Sequence, residues 1–167
     1  MRMALKMPRM YAPSLPHAKR LRHGRVSEPG RVYLVTTVTR RRRPVFADLT
    51  LARLAIGELR ACDAAGECET LAFVLMPDHL HWLLALCGAD LSALVRRFKS
   101  SSARRINAAG VPGDCALWQP GFHDHALRRE EDMAQIARYI VANPLRAGLA
   151  GSVRDYPHWD AVWLQPL

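Results

Sequence analysis

The sequence predicts an α+β protein: a ferredoxin-like split βαβ sandwich, with helices packed on an antiparallel sheet. Three observations carry this expectation. Runs of strand character alternate with helical stretches in the order strand, helix, strand, strand, helix, strand, helix, and the first six match that arrangement. The apolar runs at 70–76 and 79–86 flank a Pro77-Asp78 turn and so form a hairpin. Two of the helical stretches begin at an aspartate, Asp48 and Asp90, suited to cap the first free amides.

The elements follow in order. Residues 31–39, RVYLVTTVT, are dominated by β-branched and aromatic side chains and predict the first strand. RRRRP is a loop. After Asp48, Leu51, Leu54, Ala55 and Leu59 share one helical face. TLAFVLM, residues 70–76, is apolar enough for a strand covered on both faces, and HLHWLLAL returns beside it. After Asp90, Leu91, Leu94, Val95 and Phe98 make a buried stripe. GFHDHALR offers a short fourth strand. EEDMAQIARYIVAN predicts a helix with acidic residues in its first turn, where the helix dipole favours them, until Pro144 interrupts it and begins a further short turn. The expected organisation is a basic N-terminal arm over 1–30, a domain over 31–150 and a tail over 151–167.

Half of the 167 residues are hydrophobic, so a core can form, and the formal charge of +9 favours an anionic partner. No apolar run approaches the ~18 residues of a membrane span, and the leader lacks the apolar core of a signal peptide. Cys62, Cys68, Cys87 and Cys115 form no CxxC pair. They are expected to be reduced thiols in a cytoplasmic protein.

Within 79–86, His79 and His81 project from one strand face while Leu80 and Trp82 project from the other. Imidazoles about 7 Å apart along a strand can converge on a divalent ion, or simply stand on a sheet face. His123 and His125 repeat the spacing around Asp124 and remain a competing pair. Further on, Tyr139 and Asn143 are four residues apart, so on a helix they lie on one face about a turn apart. Alone they read as an amphipathic tyrosine and a helix terminator. With the histidines, the amide oxygen of Asn143 gives Mg²⁺ or Mn²⁺ a third ligand and leaves positions open for a phosphate.

MPDHLHWLL, FKSSSARRIN, WQPGFHDHALR and EEDMAQIARYIVANPLRAGL resemble, in order, the motifs of the single-tyrosine HUH transposases (the IS200-like transposases), in particular the REP-associated tyrosine transposases. The likeness runs from about residue 31 to residue 150. It implies an HUH nuclease domain plus a C-terminal tyrosine-bearing helix. His79 and His81 are then metal ligands with Asn143 as the third, and Tyr139 attacks a single-stranded DNA phosphate to give a 5′-phosphotyrosine and a free 3′-OH. The implied partner is single-stranded or hairpin DNA from repetitive extragenic palindromes, engaged on the nucleoid by a monomer or homodimer. A non-catalytic hairpin-binding module and a hydrolase using activated water are the alternatives.

Candidate phosphate contacts are Arg41, Arg42 and Arg43 in the first loop, Lys99, Arg104 and Arg105 in FKSSSARRIN, and Arg128 and Arg129 before the tyrosine helix. Trp118 is a candidate base-stacking residue, whereas Trp82, opposite the histidines, is expected in the core.

Overall fold

The computed structural model describes residues 27–88, 90–110, 116–128 and 132–163; most of the expected arm, Cys115 and Arg129 lie outside them. Its elements are β1 (Val32–Val38), α1 (Leu49–Ala64), β2 (Cys68–Met76), β3 (His79–Leu86), α2 (Leu91–Ala108), β4 (His123–Ala126), α3 (Met133–Val141), α4 (Asn143–Arg146) and β5 (Trp159–Ala161). The five strands form one sheet in the order β4-β1-β3-β2-β5, with every pair antiparallel. Its first four strands have the expected split βαβ order. Among the described residues, no helix is long and apolar enough to cross a membrane.

The sheet separates two cores. On one face Tyr33 and Val35 of β1, Phe73 and Leu75 of β2, and Leu80, Trp82, Leu84 and Leu86 of β3 pack against Ala52, Ala55, Leu59 and Cys62 of α1 and the Leu91–Phe98 stripe of α2. On the other face Leu34, Ala72, Val74, Met76 and Leu83 pack against Ala137, Ile140 and Val141 of α3, together with Tyr156. β2 and β3 are thus covered on both sides, which is why their sequences read as nearly continuous apolar runs. Each large aliphatic side chain fully withdrawn from water contributes about 1.5–3 kcal/mol.

The helix boundaries follow from their caps. Asp48 accepts from Leu51 N at 3.0 Å and Asp90 from Ala93 N at 2.9 Å, as expected. Gly66, at φ 68°, takes the left-handed position just past α1. The α1 face is rotated from the predicted one: Leu51 and Leu54 are only partly buried, and Ala52 and Cys62 are sealed instead. Asp132 is the cap of α3, accepting from Gln135 N at 3.1 Å. Of the acidic residues expected in the first turn of α3, Asp132 is the cap rather than inside the turn, and Glu130 and Glu131 lie outside the described residues.

Two further departures concern the C-terminal part. The expected interruption and further short turn are present, but the break falls at Ala142, so Asn143 opens α4 rather than ending α3. Proline at 144 has no amide hydrogen to give the carbonyl of residue 140, and its ring crowds that carbonyl. The tail is also partly structured. Tyr156 donates its hydroxyl to Leu75 O at 2.7 Å, and β5 pairs with β2, covering an edge that would otherwise be open. Three residues are too few to show an alternation in sequence.

Trp118 is core, not a stacking platform: it is 5% exposed, lies against Phe46 and Phe98, and donates Nε1–H to Ser102 Oγ at 3.0 Å. Trp82 is fully buried, as expected, and donates to Thr70 Oγ1 at 2.9 Å. Trp82→Ala is predicted to lower unfolding stability by about 3–5 kcal/mol, read by chemical denaturation. A loss under 1 kcal/mol would contradict its place in the α1/α2 core.

Candidate active site

The site begins with the register of β3. His81 stands opposite Thr36 of β1 and Val74 of β2, and directly opposed residues share a sheet face. Val74 belongs to the core beneath α3, so His79 and His81 face the side of the sheet that carries α3 and α4. Their rings converge to a centroid separation of 4.9 Å, nearly perpendicular.

Each ring is held from behind. His79 Nδ1 contacts Asp78 Oδ1 at 2.5 Å, and the other oxygen of Asp78 accepts from Arg42 Nη1 at 2.8 Å. Burial raises the Asp78 pKa, but its hydrogen bond and ion pair with His79 and those with Arg42 outweigh it and leave the carboxyl below its ordinary range. An ionised Asp78 can only accept, so the nitrogen facing it, His79 Nδ1, carries a proton, and Nε2 is the atom that a neutral ring would turn toward a cation. His81 Nδ1 lies 2.9 Å from Thr36 Oγ1. Burial, reinforced by the charges of His79 and Arg146 and only partly offset by Asp78, pushes His81 down to about 3. The ring is therefore neutral at physiological pH, and in the tautomer whose Nδ1–H donates to Thr36 its Nε2 is also free to bind a cation.

The β1–α1 loop fixes this end of the sheet. Thr39 donates its amide and its hydroxyl to Asp78 O at 2.8 and 3.0 Å, and Phe46 N donates to Pro77 O at 2.9 Å. Arg41 and Arg42 sit at φ 57° and 51°, a left-handed backbone that costs a non-glycine residue about 1–2 kcal/mol. The Arg42–Asp78 pair and the Thr39 contacts hold the loop there.

The break before Pro144 shapes the other half. Asn143 Nδ2 donates to Ile140 O at 2.8 Å, the carbonyl that an amide at position 144 would have bonded. That bond turns Oδ1 the other way, where it accepts from Arg146 Nη2 at 2.7 Å. Arg146 Nη2 also donates to Tyr139 O at 2.6 Å, and the guanidinium lies 4.0 Å from the centre of the Tyr139 ring. Tyr139 and Asn143 are both half-buried on the histidine face, and Arg146 is exposed beside them.

The remaining candidates are dispersed. His123 stands opposite Thr36 and His125 opposite Leu34 on β4, at the far edge of the same sheet face, with His123 exposed. Among the described residues, no group of three or more His, Cys, Asp or Glu side chains is arranged to hold a metal, so an ion on His79 and His81 needs a different third donor. The Asn143 amide oxygen fits that need in chemistry and in the face it shares.

Lys99, one of the candidate phosphate contacts, donates from its ammonium to Gln119 O and Gly121 O, both at 2.6 Å, and ties down the approach to β4. Arg104 bonds Ser101, and Arg105 pairs with Glu58 of α1 at 3.2 Å. All three lie on α2, across the sheet from the histidines. Arg43 is half-buried, with Nε sealed from water and unbonded. Arg41 and Arg42 are exposed at the histidine end, while Arg128 is exposed by a cavity of about 490 Å³ at the opposite end of the strands, near Gly30, Val32 and Met133. Sequence reading missed Thr36, Asp78 and Arg146. Asp78 registered only as a turn residue, whereas the helical spacing of Arg146 from Asn143 and Tyr139 was a usable signal.

Comparisons with known proteins agree with this architecture. The family model described as transposase IS200 like matches residues 31–143, a span that includes His79, His81, Tyr139 and Asn143. The chain is 33% identical to the REP-associated tyrosine transposase of Escherichia coli K12 over 91 residues, 53% of this chain and 52% of that protein. A Haemophilus influenzae Rd protein provisionally given the same name is 29% identical over 105 residues, 54% of this chain and 57% of that one. The chain thus spans about half the length of the curated relatives it matches. A solved structure of a REP-associated tyrosine transposase bound to a REP hairpin superposes with a TM-score of 0.68 at 26% identity, covering 81% of this chain and 79% of that one. With the family match spanning both the histidine strand and the tyrosine helix, the chain belongs to the IS200-like transposase family.

Proposed function

We propose that the protein is a metal-dependent single-strand DNA endonuclease and strand transferase, a transposase acting on hairpins of repetitive extragenic palindromes. The observation that supports this reading is the common sheet face: two histidines on β3 point to the side of the sheet that α3, with Tyr139, covers and that α4, with Asn143, follows. The names of the relatives and the hairpin in the similar structure support the substrate class. The DNA-rich cytoplasm is the corresponding setting, with the chain working as a monomer or homodimer.

In this reading His79 Nε2, His81 Nε2 and Asn143 Oδ1 hold Mg²⁺ or Mn²⁺. The bound ion supplies charge withdrawal from the phosphodiester. Tyr139 gives up its phenolic proton and its oxygen attacks phosphorus. The bond between phosphorus and the 3′ oxygen breaks, that oxygen takes a proton, and the 5′ side stays on the tyrosine. A second 3′-OH reverses the step, forming a new phosphodiester and returning the tyrosine proton. Because one phosphate ester replaces another, joining needs no external energy source. Asp78 and Thr36 keep the imidazoles oriented throughout. Arg41, Arg42 and Arg128, with Arg129 outside the described residues, remain proposed phosphate contacts. Lys99, Arg104 and Arg105 are further candidates and, like Arg42 on Asp78, would exchange a contact within the protein for the phosphate, while Arg43 has its Nε sealed from water.

Incubation with end-labelled hairpin DNA and Mn²⁺ is predicted to give a denaturation-resistant protein–DNA adduct that Tyr139→Phe does not form. Cleavage persisting in Tyr139→Phe would replace the covalent reading with activated water, and binding without cleavage in any metal would indicate a hairpin-binding module. His81→Ala is predicted to slow cleavage about a thousandfold while largely retaining hairpin affinity. An equal loss of binding would make the histidine a structural residue.

A further inference from the structure

We propose that Arg146 is a positioning residue of the active site that competes with the metal ion for the amide oxygen of Asn143 and has to leave it when the ion binds. The inference rests on the reading of His79, His81 and Asn143 as ion ligands, and it concerns a residue beyond the span that the family model matches.

The orientation of the amide is settled by chemistry. Asn143 Nδ2 faces the carbonyl of Ile140, which can only accept, and the opposite atom faces a guanidinium, which can only donate. Oδ1 is therefore the atom facing Arg146, at 2.7 Å. An ion on that oxygen would sit about 2.1 Å from it. The two cations would then be less than 5 Å apart, by the sum of these two distances, with no carboxylate among the proposed ligands to offset them. Like charges this close repel strongly, even where water screens them in part. The same oxygen cannot serve both without cost.

Arg146 has somewhere else to go. Its side chain is exposed, so no packed core opposes its swing. Its second anchor is the carbonyl of Tyr139, and its guanidinium already lies over the tyrosine ring. The nitrogen that leaves Asn143, Nη2, is also the donor to the Tyr139 carbonyl, so the swing gives up both bonds and keeps only the place over the tyrosine ring. There the guanidinium remains a positive charge beside the phenol that a DNA phosphate has to approach. Arg146 then links loading of the ion to the approach of an anion: in the free protein it weakens the site, and a phosphate between the two cations removes the conflict.

The test measures Mn²⁺ affinity of the full-length free protein by electron paramagnetic resonance. Arg146→Gln, which keeps a donor for Asn143 but removes the charge, is expected to bind Mn²⁺ roughly tenfold more tightly. Arg146→Lys, which keeps the charge, is expected to stay near the wild-type value. Arg138→Gln, which removes another exposed charge from α3, is a control expected to change little. Misfolding would weaken ion binding, so it cannot imitate the expected gain. Unchanged or weaker binding in Arg146→Gln, or an equal gain in Arg138→Gln, overturns the inference. His81→Ala separates the two levels. If it leaves Mn²⁺ affinity intact, the ion-site reading itself fails and this inference falls with it. If it abolishes binding while Arg146→Gln has no effect, only the inference fails.

Discussion

The alternation of β3 is the constraint on which the rest depends. Leu80, Trp82, Leu84 and Leu86 must all enter the α1/α2 core, and a strand permits this only if residues 79, 81, 83 and 85 face the other way. A register slip of one residue would bury the imidazoles beneath α1 and α2 and turn the tryptophan toward the α3 side of the sheet. The hydrophobic core thus fixes where the histidines point. Their own contribution to stability is secondary. Neighbouring strands then supply Thr36 from β1 and the clamped Asp78 turn, so the rings are oriented by the same ladder that holds the sheet together.

Proline 144 plays the corresponding part on the helical side. By withdrawing one backbone donor it ends α3, frees the Ile140 carbonyl and gives Asn143 a local partner that sets its amide. α4 then starts at Asn143, and Arg146 lies one turn further on, close enough to hold both Asn143 and Tyr139. A single backbone irregularity therefore organises three polar side chains over the histidine face. Ile140 and Val141, buried in the second core, anchor the corner to the sheet.

Charge is distributed by function as well as by number. The excess of positive residues suits a polyanion, but individual cations have unlike duties. Lys99 secures a loop, Arg105 joins two helices, and Arg42 joins the basic loop to the Asp78–His79 pair. Asp78 is thus shared between a strained arginine loop and a candidate ligand. A phosphate that engaged Arg42 would act on the same carboxylate that orients His79.

The sequence by itself determined the sheet, the two capped helices, the hairpin and the pairing of His79 with His81, because these depend on period and on local turn chemistry. It also pointed to Tyr139, Asn143 and a break at Pro144, although the break falls before Asn143 rather than after it. The small fifth strand, the roles of Thr36 and Asp78, the commitment of Lys99 and the burial of Trp118 were decided by tertiary structure. Each depends on a partner many residues away: Thr36 on His81, Lys99 on the 119–121 carbonyls, Trp118 on Phe46, Phe98 and Ser102. A one-dimensional pattern records what a residue is and which way its element turns it. Which long-range donor meets which acceptor is fixed only when the sheet closes and its two faces are covered.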